Sequence, residues 1–140
     1  MKKIALIIGI LSCGFFFSQK SEKYIPVGYS SICCGPPSAS PVMNYISEFQ
    51  KKNKKRVLEV YKQSGLGREG EFALYIGIDS LTKSKKKKFM MGLESVINLQ
   101  NAKKDEGRDG SVAVELKNLT PKTELLGMKN LTLYKNNLTK

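Results

Sequence analysis

Short stretches of the chain alternate apolar with other residues, which is the pattern of a half-buried β-strand. The alternation predicts strands over residues 24–31, 71–78 and 111–116, and residues 56–62 are also predicted to form a strand. The side chains predicted to face the core from the alternating strands are Ile25, Val27, Tyr29, Phe72, Leu74, Ile76, Ile78, Val112, Val114 and Leu116. The pattern therefore predicts a sheet with one face buried in a core.

Two segments have the period of an amphipathic helix. The first begins at Ser40 and Pro41, with Ser40 predicted as the N-cap and Pro41 at the first helical position. The second covers about residues 81–100, and Asp79 or Ser80 is predicted to cap it. The predicted apolar stripes are Val42, Tyr45, Ile46 and Phe49 in the first helix, and Phe89, Leu93, Val96 and Ile97, with Met90 alongside, in the second.

The order of elements is strand, helix, strand, strand, helix, strand, which is the ferredoxin-like βαββαβ arrangement of the α+β class. Two right-handed crossovers place both helices on one face of an antiparallel sheet. The other face is open unless residues 121–140, the predicted C-terminal tail, cover it. Within that tail, Leu125 and Leu126 favour a turn of helix, and residues 131–134 favour an edge strand. The domain itself is expected to span residues 20–120.

Residues 1–19 have the features of a secretory signal peptide. Lys2 and Lys3 precede a run of apolar residues, and small or polar residues follow it, so cleavage is expected near Ser18 or Gln19. The apolar run is shorter than the roughly 20 residues of a membrane span. Residues 10–13 also resemble a bacterial lipobox, which would make Cys13 a lipid-anchored N-terminus. We therefore expect a secreted or periplasmic bacterial protein without a transmembrane span, with a lipoprotein as the alternative.

Composition limits the chemistry that the chain can perform. The sequence has 140 residues, 24 Lys+Arg against 12 Asp+Glu, a net charge of +12 and no histidine. The lack of histidine excludes Ser-His-Asp and Cys-His catalysis within this chain, and any metal site with a histidine ligand. The acidic residues are scattered, so paired-carboxylate catalysis is not indicated. A non-enzymatic binding role is the favoured interpretation.

The most distinctive motif is Cys33-Cys34-Gly35-Pro36-Pro37, which lies between the first strand and the first helix. Neighbouring Cα atoms are about 3.8 Å apart, closer than the roughly 4.4–6.8 Å of ordinary disulfides. A bond between Cys33 and Cys34 is therefore expected to be easily reduced, and the pair is interpreted as two thiols, a labile redox switch or thiols engaged elsewhere. Cys34 is expected to be the more reactive thiol, with Gly35 and Pro36 shaping the loop.

Two resemblances involve this motif. Its position is similar to the first loop of heavy-metal-associated domains, where Cys-x-x-Cys binds soft ions such as Cu(I), although Cys33 and Cys34 are adjacent. Cys34-Gly35-Pro36 resembles the Cys-Gly-Pro-Cys of thioredoxins, with Pro37 in place of the second cysteine. The resemblances imply a site for a soft metal ion or a redox partner. The alternatives are a Gly-Pro turn with two half-buried thiols and a disulfide to a partner.

Lysines are concentrated in two places. Lys83 and Lys85–Lys88 occupy the start of the second predicted helix, where cations oppose the helix dipole. The second group lies near the end of the first predicted helix, at Lys51, Lys52, Lys54 and Lys55. Both groups would suit an anionic envelope component such as lipid phosphate or polysaccharide, and a solvated surface is the alternative. The candidate polyanion-binding residues are Lys51, Lys52, Lys54, Lys55, Lys85, Lys86, Lys87 and Lys88. Separately, Arg68 and Glu69 are predicted at the tip of a hairpin, within reach of a ligand.

Three tyrosines are predicted on the open face of the sheet, namely Tyr24, Tyr61 and Tyr75. This arrangement resembles the base-stacking aromatics of RNA-recognition-motif domains. The stretch 68–75 departs from that family's signature, and export makes a nucleic-acid partner unexpected. The tail or a second subunit, giving a homodimer, is expected to pack on these tyrosines.

Overall fold

The computed structural model describes residues 21–54 and 57–134, so the predicted signal peptide and its cleavage point lie outside the described residues. The described chain forms one sheet and three helices. The elements in chain order are β1 (Lys23–Ser30), α1 (Ser40–Lys52), β2 (Val60–Ser64), β3 (Phe72–Gly77), α2 (Lys83–Ala102), β4 (Ser111–Val114), β5 (Thr120–Pro121), α3 (Lys122–Leu126) and β6 (Leu131–Leu133).

The sheet is antiparallel, with strand order β4-β1-β3-β2-β6 and β5 paired to the start of β1. Tyr29 of β1 lies opposite Phe72 of β3, and Ser30 lies opposite Ser111 of β4. This α+β architecture confirms the predicted fold class and is compatible with a ferredoxin-like fold. The predicted edge strand is also present, since β6 pairs with β2.

One face of the sheet carries the main core. Ile25, Val27 and Tyr29 of β1 are buried there, as their alternation predicts, against the apolar stripes of α1 and α2. The two helices contact each other through aromatic rings, since Phe49 of α1 and Phe89 of α2 pack edge to face with centroids 5.0 Å apart. Both long helices therefore lie on the same face of the sheet.

The tail covers the opposite face of the sheet. Leu125 of α3 is completely buried in a second cluster with Tyr24, Ala73 and Tyr75. Leu126, the next residue of the same helix, is 59% exposed. Helix α3 thus occupies the sheet face that would otherwise be open. The tyrosines on that face, Tyr24 and Tyr75 among them, are covered and do not form an open surface.

Both predicted helix caps are wrong. Ser40 is the first residue of α1, the N-cap position is Ala39, and Ser38 Oγ accepts a hydrogen bond from the Ser40 N–H at 3.1 Å. The N-cap position of α2 is Thr82, and no side chain caps this helix. Both helices therefore begin without the capping hydrogen bond that the sequence signals predict.

Asp79 links the start of β1 to α2 and does not cap that helix. Its carboxylate accepts hydrogen bonds from the backbone N–H groups of Glu22 (2.8 Å) and Lys23 (3.0 Å), and pairs with Lys86 Nζ at 2.9 Å. Burial alone would raise the pKa of Asp79, but these hydrogen bonds outweigh it and hold the pKa below its usual value.

The strand predicted over residues 56–62 begins later, at Val60. Leu58, just before it, is buried in the main core, and its N–H donates to the side-chain oxygen of Gln50 at 2.6 Å. Leu58 is therefore held by a side chain of α1 before the chain joins the sheet. None of the helices within residues 21–54 and 57–134 is long and apolar enough to cross a membrane.

Candidate redox site beside a cationic cleft

Cys33 and Cys34 follow β1 after two intervening residues and form a disulfide with each other. Both residues are exposed. The interpretation of two half-buried thiols is therefore wrong, because the preceding strand ends at Ser30 and the chain leaves the sheet before it reaches the cysteines. Their sulfurs are accessible to a reagent in solution.

The loop that carries the cysteines is held by short polar contacts. Gly35 adopts a positive φ of 96°, a conformation that favours glycine, and its N–H donates to Ser31 Oγ at 3.1 Å. Three residues after Gly35, the Ser38 carbonyl accepts a hydrogen bond from Gln100 Nε2 of α2 at 2.8 Å. Pro36 and Pro37 lie between these two anchors and have no N–H to satisfy. The loop is thus fixed both to the end of β1 and to the end of α2.

The loop between α2 and β4 lies against the cysteine loop. Gly110 approaches β1 so closely that a Cβ at this position would overlap the Ser30 carbonyl oxygen. Asp105 and Asp109 brace the loop internally, since Asp109 Oδ2 accepts from the Asp105 N–H at 2.8 Å. As a result, the carbonyl oxygen of Arg108 lies 3.7 Å from Cys33 Sγ.

A cleft with a volume of about 310 Å³ opens between these two loops. Three cationic side chains and one carboxylate border it together with Cys34. The lining residues are Cys34, Gly35, Pro36, Pro37, Gln100, Asn101, Lys103, Lys104, Arg108, Asp109 and Gly110. Arg108 Nε is 3.9 Å from Asp109 Oδ1, so this carboxylate offsets one of the three positive charges that border the cleft. The cleft favours an anion beside the Cys34 sulfur.

Among the described residues, no group of three Cys, Asp or Glu side chains is placed to hold a metal ion. Met43, the nearest methionine in the sequence, is buried in the main core and does not supply a third soft ligand. Soft ions bind thiolates, which the disulfide form lacks. The geometry at Cys33 and Cys34 therefore fits thiol–disulfide chemistry better than the Cu(I) site that the heavy-metal-associated resemblance implies.

The predicted hairpin tip lies at the same end of the molecule as the cysteines. A Cβ placed on Gly35 would be 3.9 Å from the carbonyl oxygen of Glu69. Arg68 and Glu69 are both exposed, and the Glu69 N–H donates to Glu71 Oε2 at 3.0 Å. The tip therefore borders the cysteine loop but does not line the cleft.

The lysine clusters lie together at the opposite end of the two helices. The Phe49–Phe89 contact places the end of α1, with Lys51 and Lys52, next to the start of α2. Within the second cluster, Lys85 and Lys86 are half-buried whereas Lys87 and Lys88 are exposed, and Lys86 is engaged by Asp79. Lys54 is exposed, and Lys55 lies outside the described residues.

The tyrosines of the covered face form hydrogen bonds inside the protein. Tyr24 and Tyr61 both donate to the carboxylate of Glu59, each at 2.8 Å, and Tyr75 donates to Gln63 Oε1 at 2.9 Å. Burial and the Glu59 carboxylate raise the pKa of Tyr24. These hydroxyls link β1 and β3 to β2 and to Glu59 just before it. Leu125 of α3 packs in the same cluster, so within the described residues these rings do not form an open row for stacking.

Sequence reasoning missed the cationic side of the site. Lys103, Lys104 and Arg108 lie about 70 residues after the cysteines, and no motif in the sequence links them to the cysteine loop. The available signal was the topology, because in the predicted fold the end of the second helix and the start of the fourth strand lie beside the end of the first strand. Comparison with models of protein families, with curated proteins and with solved structures found no significant match.

Proposed function

We propose that this protein is a small exported binding module whose Cys33–Cys34 pair changes reversibly between a disulfide and a dithiol. The observation that supports it most directly is the exposure of two bonded, adjacent cysteines at the mouth of a cationic cleft. Export, which rests on residues 1–19, would place the pair in a compartment where disulfides persist.

The chemistry requires only the two sulfurs. Reduction adds two electrons and two protons to the Cys33–Cys34 bond and yields two thiols, and oxidation reverses this. The disulfide closes a loop of no intervening residues, so it restrains the unfolded chain very little. A pair with this position contributes little to folding, and its reversible bond is available for a switching role.

The proposal is tested by the thiol state of the exported protein. Alkylation without denaturant, followed by intact mass, is expected to add no group before reduction and two groups after it. Two groups added before reduction, with no closure under oxidant, would refute the redox proposal. The same mass reports the cleavage point and any lipid on Cys13. A soft-metal site would instead appear as labelling that requires a chelator.

Matched variants separate the function of the pair from the fold. Cys33→Ser and Cys34→Ser are each expected to change the free energy of unfolding by less than about 0.5 kcal/mol, because both side chains are exposed. Each variant is expected to take one alkyl group without reduction. Ile32→Val, at a 56% exposed position in the same connection, is the control that leaves the sulfur chemistry unchanged.

A second proposal concerns the lysine end, because the fold brings both clusters together at one end of the helical layer. Lys51, Lys52, Lys87 and Lys88 are exposed there and suit an anionic envelope surface. Binding to vesicles with anionic lipid is expected to fall steeply with salt. Replacement of these four lysines by glutamine is expected to abolish that binding, whereas Lys103→Gln at the opposite end is the control. Salt-independent binding would refute this proposal.

A further inference from the structure

We propose that the cleft beside Cys34 binds a small thiol that carries carboxylate groups, and that this thiol reduces the Cys33–Cys34 disulfide by attacking Cys34. The inference rests on the proposed redox function and names the substrate class of the same site. It follows from the charge and size of the cleft and from the different surroundings of the two sulfurs.

Charge and size favour a small anion. Lys103, Lys104 and Arg108 border the cleft against a single carboxylate, that of Asp109. The volume of about 310 Å³ is at the lower limit of the roughly 300–1,000 Å³ found for small-molecule sites. A molecule of a few residues or fewer fits this space, and its carboxylates would have three cationic partners.

Gln100 forms part of the wall of the cleft. Gln100 Oε1 is buried and has no hydrogen-bond donor among the described residues, whereas Gln100 Nε2 is occupied by the Ser38 carbonyl at 2.8 Å. The Nε2 contact fixes which side-chain atom is the free acceptor. Gln100 is therefore fixed in the wall of the cleft with its Oε1 turned away from solvent, and it holds the cysteine loop rather than a ligand.

The two sulfurs have different surroundings. Cys34 lines the cleft, and Cys33 does not. Cys33 Sγ instead lies 3.7 Å from the carbonyl oxygen of Arg108. A disulfide sulfur has no hydrogen to donate, but the Cys33 thiol formed by reduction can donate one to this carbonyl. A ligand in the cleft reaches Cys34 and not Cys33, so the geometry assigns Cys34 as the attacked sulfur and Cys33 as the leaving sulfur.

The exchange proceeds in two displacements. The ligand thiolate attacks Cys34 Sγ, the Cys33–Cys34 bond breaks, and Cys33 leaves with the electron pair and takes a proton from water. A second thiolate then attacks the ligand sulfur of the mixed disulfide and releases Cys34 as a thiolate, which is protonated in turn. Two ligand thiols are oxidised to one ligand disulfide, and the protein pair is reduced to two thiols.

The test compares reduction of the full exported protein by three thiols, namely glutathione, uncharged 2-mercaptoethanol and cationic cysteamine. Rates are measured by alkylation and intact mass at low salt. Each rate is divided by that of the same thiol with hydroxyethyl disulfide, which removes differences in intrinsic nucleophilicity. The normalised rate is expected to be highest for glutathione and lowest for cysteamine.

Charge variants identify the cleft as the cause. Lys103→Gln, Lys104→Gln and Arg108→Gln are each expected to lower the normalised glutathione rate about threefold, the effect of one unit charge some 6 Å away in water. The rate with 2-mercaptoethanol is expected to stay unchanged. Lys87→Gln and Lys88→Gln are the controls, because they lie near the other end of α2, roughly 20 Å away along the helix axis.

The outcomes separate this inference from the proposed function. If all three thiols reduce the pair at equal normalised rates and the cleft variants have no effect, the ligand class is refuted and the redox function remains. If no thiol reduces the pair, both are refuted. A loss of rate with glutathione and 2-mercaptoethanol alike in Arg108→Gln would indicate a changed loop and would overturn the charge explanation, so thermal unfolding of each variant is measured in parallel.

Discussion

The burial of Leu125 makes a sharp prediction about the C-terminal helix. This side chain is completely buried between Tyr24 and Tyr75, on the face of the sheet opposite the long helices. Leu125→Ala removes three carbon atoms from that contact. It loses their transfer free energy and leaves a cavity wherever the surrounding atoms do not close in.

The magnitude follows from the position of the helix. Buried leucine-to-alanine changes cost about 2–5 kcal/mol, and the value depends on how far the site can collapse. Because α3 has only 5 residues and lies at the surface, it can settle toward the sheet, so we expect the lower part of that range, about 2–3 kcal/mol. For a domain of this size the melting temperature would fall by on the order of 10 °C.

The assay is equilibrium unfolding in urea with circular dichroism detection. Leu126→Ala is the matched control, since it makes the same chemical change one residue later at a side chain that is 59% exposed. This control is expected to change the free energy of unfolding by less than about 0.5 kcal/mol. Equal effects of the two substitutions would refute the burial of Leu125 and would reopen the sheet face to a second subunit.

Two further predictions concern the framework of the site. The pKa of Asp79 is lowered in the folded protein, so its contribution to stability is complete above the unfolded pKa of about 3.9 and is lost as the pH falls through the folded pKa. Asp79→Asn is therefore expected to reduce the acid dependence of the urea midpoint. An unchanged dependence would contradict the stabilising role of the Asp79–Lys86 pair. Gly110→Ala is expected to destabilise the protein by about 1–3 kcal/mol, since its Cβ would overlap the Ser30 carbonyl. Gly28→Ala is the control in the same thermal melts, because no atom lies within 4 Å of the new Cβ. Similar melting temperatures for the two variants would contradict the close approach of Gly110 to Ser30.

The elements of the fold were accessible from the sequence because each depends on local periodicity. Ile25, Val27 and Tyr29 alternate and share the buried face of β1, and Phe89, Leu93 and Ile97 share the buried face of α2. The tail was also predicted in outline, since a helical turn and an edge strand occur where the leucines indicated them. In these cases a side chain's burial follows from its place in a repeating backbone.

The contacts of single polar residues were not accessible in the same way. Asp79 has the position of a helix cap in the sequence, but in the fold it binds the N–H groups of Glu22 and Lys23 and the ammonium of Lys86. A capping signal describes only the few residues that follow it. Competing partners 56 and 57 residues away along the chain have no local signature.

The candidate site shows the same division. The sequence by itself identified the adjacent cysteines, their loop and the hairpin tip, because these are contiguous motifs. Only the tertiary structure placed Lys103, Lys104 and Arg108 beside Cys34, since the antiparallel pairing of β1 with β4 brings two distant loops to one end of the sheet. The physical reason is that periodicity records which face of an element is buried, whereas a cleft depends on how separate elements pair and pack.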